Sequence, residues 1–438
     1  MQEQDKIPTS KVQRAGKFFK TSMKVGGNYI KHTAGKMVGS DATSEDLHRK
    51  NAEEVFNLLN SLKGSALKVA QMMSMDTGLL PKEYADKFAE AQNNAMSLSG
   101  PLVNHTFVKY TGKNPNEFFD KFDSKAMHAA SIGQVHVAYK DGQKLAVKIQ
   151  YPGVAEAIHS DIQMVKPLAA RLIGVPTSFL DYYAEEFEQR LIEECNYNLE
   201  LKSGVDTAEA CKELEGLIIP KYYSELTNDR ILTMEWMDGV TLKQFIEDEK
   251  DQAIKDKIGQ YFIDFIFYQI HFLKRFNADP HPGNFLVTSD KKLVALDFGC
   301  MKTIPADFYK TYFSIASPEV RNNPEKLNET LIKLDLIRPE DSDEDKEFFK
   351  NFVSTVIDLF LEPLRGDTFY FADKTFAKKL HKFGNELSAN KEFRKPKAMR
   401  GNRDAIFLHR TFFGMYSILF QLNATVKVDK RFMEWIRE

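Results

Sequence analysis

The sequence predicts an α+β fold of two lobes, the first rich in strands and the second mainly helical, with an added helical segment ahead of both. Three observations predict it. Two alternating runs, Val135 to Tyr139 and Lys144 to Ile149, flank an Asp141-Gly142 turn, the signal of an antiparallel hairpin. A second strand-turn-strand pattern runs from Phe285 through Ser289-Asp290-Lys291 to Leu296, with Asp279 and Asn284 before it and Asp297-Phe298-Gly299 directly after it. Apolar residues at helical spacing dominate before Phe118 and after Thr241.

The residues that bracket the second hairpin carry chemistry. Phosphoryl transfer needs a carboxylate aimed at the attacking oxygen, and a neutral oxygen ligand with a second carboxylate to hold magnesium against the phosphates. Asp279, Asn284 and Asp297 fit those three roles. Asp-x-x-x-x-Asn alone is also the pattern of a polar turn opened by Pro280 and Pro282. Joined to a hairpin that ends in Asp-Phe-Gly, it is the catalytic loop and metal-binding pair of a protein-kinase-like fold. The expected cofactors are ATP and Mg2+.

The 438 residues, 43% of them apolar, are enough for a large core. A net charge of −2 gives no global field that would argue for nucleic acid. Three cysteines, Cys195, Cys211 and Cys300, show no metal or redox spacing, which suits a cytoplasmic setting. The longest apolar stretches, Tyr261 to Leu273 and Phe407 to Leu422, carry polar residues and read as buried helices rather than spans. The N-terminus lacks the apolar core of a signal peptide.

In chain order, residues 1–42 form a basic arm. Lys11, Arg14, Lys17, Lys20 and Lys24 recur at helical spacing opposite Val12, Phe19 and Met23. That pattern fits a surface helix that meets anionic lipid, or a solvated arm docked on its own domain. Gly26-Gly27 is expected to end it, and 35–44 to be a loop. Residues 43–115 are expected to be helical, opened by a capping box at Thr43 and Asp46 and continued over 65–75 and 83–92. Lys68 and Gln71 lie there, and the Met72-Met73-Met75 cluster reads as core.

Residues 116–236 are expected to form the strand-rich lobe. Leu145, Val147 and Ile149 share one face of the hairpin, so Ala146 and Lys148 share the other. A kinase fold places there the lysine that holds the α- and β-phosphates, with a small residue against the adenine. The lysine needs a helical glutamate; Glu193, Glu194 and Glu200 lie on one candidate helix over 184–203, and periodicity does not select among them. The strand from Arg230 to Trp236, with Glu235 near its end, suits the hinge where adenine meets backbone groups. Residues 237–438 form the helical lobe, with a charged loop expected from Pro339 to Lys346.

These residues carry a resemblance. The chain resembles the ADCK/UbiB family of atypical kinases, which act in the biosynthesis or homeostasis of ubiquinone and related isoprenoid lipids. The likeness covers nearly the whole chain, from the basic arm to the Leu408-His409-Arg410-Thr411 helix. His128-Ala129-Ala130-Ser131-Ile132-Gly133-Gln134-Val135-His136 is similar to the family's alanine-rich loop, which implies that Ala129, Ala130 and Ser131 cover the nucleotide. Lys68-Val69-Ala70-Gln71 matches the Lys-x-Gly-Gln helix. Glu194-Cys195-Asn196-Tyr197-Asn198-Leu199-Glu200 matches Glu-x-Asp-Tyr-x-x-Glu, which implies that Glu200 pairs with Lys148. It also implies regulatory roles for Lys68, Gln71, Glu194 and Asn196. The chain departs from the pattern at His128, at Ala70 for glycine, at Asn196 for an acid, and at Asn277, where a histidine often stands and where a small structural effect is expected.

The resemblance implies an ATPase or atypical kinase that supports quinone or isoprenoid-lipid metabolism at a membrane surface. A small-molecule kinase of the aminoglycoside or choline type carries a similar Asp-x-His-x-x-Asn loop, and a nucleotide-gated lipid-binding scaffold is the reading from another class.

Overall fold

The structure is a computed structural model that describes residues 3–4, 11–37, 44–62, 64–69, 83–84, 87, 97–129, 132–173, 176–389 and 403–429. Gln71, Ala130 and Ser131, with Ala70 and the Met72 to Met75 cluster, lie outside the described residues. The chain divides into two compact units, Met1–Lys202 with Lys221–Trp236, and Ser203–Pro220 with Met237–Glu438.

The first unit begins with helices α1 (Lys11–Met37) and α2 (Ser44–Leu62). The expected stop at Gly26-Gly27 does not occur. Each glycine costs about 1 kcal/mol in a helix interior, but α1 buries Phe18 and Val25 beside α2, and that packing outweighs propensity. Arg14, expected on the basic face, is buried at 3% exposure. It forms a two-pronged ion pair with Asp161 and donates to the Leu62 carbonyl at 2.9 Å. Val12, Phe19 and Met23 are the outward residues, at 82%, 69% and 64% exposure.

Helix α3 (Gly100–Thr111) ends at Gly112, whose φ of 75° is the left-handed conformation glycine accepts without cost. The sheet comprises β1 (Lys121–Phe122), β2 (His128–Ala129), β3 (Gly133–Lys140), β4 (Gln143–Gln150) and β5 (Ile231–Glu235). Its order is β1-β3-β4-β5, with β2 paired to the start of β3. Asp141 and Gly142, at φ 51° and 75°, make the expected turn. The register sets Lys148 opposite Val135 on one side and Leu232 on the other. Helices α4 (Val154–Ile173), α5 (Asp181–Glu194) and α6 (Tyr197–Ala210) come between β4 and β5 in the chain. The single helix expected over 184–203 is thus two, separated at Cys195 and Asn196.

The second unit places β6 (Val240–Thr241) ahead of α7 (Leu242–Asp248), where the Thr241 side chain accepts from Gln244 N at 3.2 Å. Helix α8 (Gln252–Phe267) continues into a π-helical turn, Tyr268–Leu273, closed by Lys274 at φ 51°. Beyond it lie β7 (Arg275–Asn277), β8 (Phe285–Val287), β9 (Leu293–Ala295) and β10 (Met301–Thr303). β8 pairs with β9 and β6, and β7 pairs with β10, all antiparallel.

The remaining helices used below are α9 (Ala306–Ser314), α10 (Pro324–Lys333), α11 (Asp343–Leu361), α12 (Lys374–Ala389) and α13 (Arg403–Gln421). The charged run 339–346 is only partly a loop, because Ser342 caps α11 by accepting from Asp345 N at 3.1 Å. Phe262, Phe265, Phe276 and Phe285 are fully buried, so α8 and the short strands share one core. No helix among the described residues is long and apolar enough to cross a membrane.

Candidate functional site

In the first unit the hairpin strand β4 carries Lys148 inward, and α6 carries Glu200 to meet it. Lys148 Nζ lies 2.9 and 3.0 Å from the two Glu200 carboxylate oxygens, with side-chain exposures of 10% and 1%. The lysine also lies over the Tyr197 ring, 5.0 Å from its centre, a cation–π contact that holds the ammonium from a second side. Spacing alone does not select Tyr197; the tyrosine of the Glu-x-Asp-Tyr-x-x-Glu match, three residues before Glu200 and about one helical turn away, is the available signal. Gly133 admits this tyrosine, since a Cβ there would stand 2.8 Å from the Tyr197 hydroxyl and 2.7 Å from the Ile149 carbonyl.

The break between α5 and α6 is what aims Glu200. Asn196 accepts from Asn198 N at 3.2 Å, an N-cap that starts α6. The carbonyl of Cys195, freed where α5 ends, accepts from Gln150 Nε2 at 2.9 Å and Arg230 Nη1 at 2.8 Å. The junction is thereby fastened to strand β4 and to the residue before β5. Glu194, the last residue of α5, pairs with Lys68 at 2.8 Å, so the structure brings two of the four expected regulatory residues together and sets Asn196 beside them in sequence.

Ala129 lies in β2 opposite Gln134, and Ala146 lies on β4 at 8% exposure. Glu235 ends β5; its N–H donates to the Lys221 carbonyl at 2.8 Å and its carboxylate accepts from Lys221 N at 3.3 Å. Gln134 has a task the sequence does not reveal. Its side-chain oxygen accepts from Leu98 N at 2.7 Å, and its amide nitrogen lies 3.0 Å from His136 Nε2. His136 Nδ1 lies 2.9 Å from the Asp123 carbonyl. Burial pushes this imidazole down to about 4, so it is neutral at pH 7, with Nδ1 the donor and Nε2 the acceptor.

In the second unit β7 and β8 bracket the loop 278–284. Asp279 takes its place because its N–H donates to Asn277 Oδ1 at 2.9 Å, while its carbonyl accepts from His281 N at 2.8 Å and Asn284 Nδ2 at 3.1 Å. The last contact turns the Asn284 amide so that its oxygen points away from the Asp279 carbonyl. Asp297 accepts from Gly299 N at 2.9 Å.

Asn277, where a small effect is expected from the sequence, is a junction. It is 4% exposed, its Nδ2 donates to the Asp297 carbonyl at 2.7 Å, and its N–H donates to Gln269 Oε1 at 3.0 Å. One side chain therefore ties the segment bearing Asp279 to the segment bearing Asp297. Arg410, on α13, stands 3.6 Å from the Asp279 carboxylate. The sequence signals its helix and gives no role to its guanidinium.

Residues 90–331, more than half of the chain, match the family described as the ABC1 atypical kinase-like domain. Similar curated proteins include the mitochondrial atypical kinase COQ8 of Saccharomyces cerevisiae, 29% identical over 98% of this chain and 85% of that one. The probable serine/threonine-protein kinase abkA of Dictyostelium discoideum is 25% identical over 96% and 78%. The mitochondrial atypical kinase coq-8 of Caenorhabditis elegans is 31% identical over 65% of this chain and 38% of that one. Among solved structures, the complex of Rv3197 with erythromycin from Mycobacterium tuberculosis matches with a TM-score of 0.59 and 26% identity, covering 89% of this chain and 96% of that one. The fold is kinase-like, and the chain belongs to the ABC1 atypical kinase-like family, the UbiB group expected from its motifs.

Proposed function

We propose that the chain binds ATP with magnesium and works as an atypical kinase or ATPase. The observation that carries this reading is the buried Lys148–Glu200 pair, in which a carboxylate sealed from water holds an ammonium that keeps some exposure. Lys148 would hold the α- and β-phosphates, Glu200 and Tyr197 would fix its direction, and Asp279 would accept the proton of the attacking oxygen. Arg410 stands beside the Asp279 carboxylate and would help to hold it in place.

Asn284 and Asp297 suit magnesium by donor type. Among the described residues no group of three or more His, Cys, Asp or Glu is arranged to hold a metal. One amide oxygen and one carboxylate form the sparse set magnesium accepts, because it keeps waters and phosphate oxygens as its other ligands. When bound, it would neutralise charge on the phosphates.

Asp297→Asn tests the reading. ATP with magnesium is expected to raise the thermal midpoint of the native chain and not that of the variant; equal stabilisation of both refutes the site.

Membership of the family supports a role in ubiquinone, menaquinone or other isoprenoid-lipid metabolism. The exposed stripe of Val12, Phe19 and Met23, flanked by exposed Lys20, favours contact with an anionic membrane surface, since each buried apolar side chain and each nearby lysine adds about 1 kcal/mol or more. Phe19→Ser with Met23→Ser is expected to reduce co-sedimentation with anionic vesicles at low salt several-fold while leaving the Arg14 anchor in place. Unchanged sedimentation would assign the stripe no such role.

A further inference from the structure

The helical unit contains an apolar cavity of about 100 Å³ that none of the proposed chemistry uses. Its walls come from α9, α11, α13 and the segments after α9, α10 and α11, and among the described residues no Asp, Glu, Lys or Arg lines it. Phe308, Phe352 and Phe360 supply rings, while Ala316, Val356 and Ala405 leave the space. Several of these walls, including Val356 and Phe360, remain half-exposed, so the cavity communicates with the surface. Two of the described lining side chains are polar. The His409 ring stacks on Phe360 at 5.7 Å and lies 5.6 Å from the Tyr312 ring. Burial pushes His409 down to about 4, so it presents a neutral imidazole at pH 7.

The wall formed by α13 has a second face. Ala405, His409 and Phe412 face the cavity. Arg410 and Gly414, set around the helix from them at about 100° per residue, face the catalytic loop. Arg410 stands 3.6 Å from Asp279, and a Cβ on Gly414 would lie 2.6 Å from Pro280 Cγ. Thr411, on the same helix, donates its hydroxyl to the Phe407 carbonyl at 2.9 Å and stands 3.5 Å from the Asn277 carbonyl.

We propose that this cavity binds a small neutral apolar group, the size of a benzene ring or a short branched hydrocarbon segment, and that α13 transmits its occupancy to the catalytic loop. Size and chemistry choose the occupant. A space of this order admits one ring, a charged group would lose its hydration without compensation, and the imidazole and phenol can each meet one hydroxyl or carbonyl. Only the transmission step rests on the proposed ATP chemistry. A shift of α13 by a fraction of an ångström is felt at Asp279 because Gly414 already touches the Pro280 ring without a Cβ to spare.

The test uses the full chain, with toluene and benzyl alcohol as probes, followed by calorimetry and ligand-observed NMR. Saturable binding of toluene is expected, weakened at least tenfold by each of two filling variants, Val356→Phe and Ala316→Leu. Benzyl alcohol is expected to bind more tightly than toluene, and His409→Phe to remove that preference. Toluene is expected to change the native rate of ATP hydrolysis at least twofold and the rate of Val356→Phe not at all. Absent saturable binding, or equal binding by both filled variants, overturns the site; binding with no rate change overturns the transmission. Thermal stabilisation by ATP with magnesium, measured alongside, separates these outcomes from failure of the ATP assignment, which would leave toluene binding intact.

Discussion

Arg14 with Asp161 and Lys148 with Glu200 are both buried cation–carboxylate pairs of the first unit, and they are built differently. Asp161 accepts from Nε and Nη2 of Arg14 and from the Ser65 hydroxyl, while Arg14 Nη1 caps the end of α2 at Leu62. Side-chain exposure is 4% and 0%. The rigid guanidinium fork leaves nothing to rotate, so this pair fastens α1 and α2 to α4. Lys148 instead presents a compact ammonium on a flexible stem, 10% exposed, against a glutamate that is itself sealed. The difference teaches that burial of a charge pair alone does not mark an active site; what matters is whether the cation keeps a direction in which it can serve a ligand.

Breaking each pair should separate the two roles. Asp161→Ala leaves a buried guanidinium without its carboxylate and should cost about 3–5 kcal/mol, read as a lower denaturant midpoint. Lys148→Met should reduce ATP hydrolysis by about 100-fold or more, the scale of losing one preorganised electrostatic contact, with a smaller stability loss. Equal stability losses in both variants would erase the distinction.

Acid sharpens the comparison further, because the first unit also buries a neutral group. His136 is held near 4 against an ordinary value of 6.5. The unfolded chain therefore binds its proton first as pH falls. Stability that is present above 6.5 should be lost progressively down to about 4, and His136→Gln should flatten that slope in denaturation measured across the window. An unchanged slope would place the acid response elsewhere.

The smallest expected effect lies at the junction between α5 and α6. Asn196→Asp retains an N-cap oxygen, so stability should move by no more than about 0.5 kcal/mol. If the added charge reaches the metal, less magnesium should be needed for half-maximal stabilisation by ATP. An unaltered magnesium requirement would confine residue 196 to capping.

The parts of the site legible in the sequence are the contiguous ones. The hairpin with Lys148 shows a period of two around an Asp-Gly turn, and the loop from Asp279 to Asn284 stands close before Asp297 in the chain, so both are readable from spacing. Glu200 is selected only by resemblance, because residues 187, 191, 195 and 199 keep an apolar spacing of four straight through the break at Cys195 and Asn196. Arg14 escapes for a different reason. A basic residue on an amphipathic helix looks solvated until its partner, 147 positions away, is known. Asn277 and Arg410 share that difficulty, since their importance lies in what the fold brings to them. The cavity, made of ordinary core residues from several helices, leaves no linear trace.

The π-helical turn Tyr268–Leu273 makes chain length itself part of the geometry of the 278–284 loop. Its Gln269 holds the N–H of Asn277, and a π turn accommodates a residue that an α-helix would not. Removing one residue there would let the turn close to regular α geometry and change the place from which residue 269 reaches the Asn277 N–H. Phe272, 59% exposed within the same turn, should accept substitution by polar residues. Single-residue deletions anywhere in Tyr268–Leu273 should instead displace Asn277, and with it both aspartates it connects.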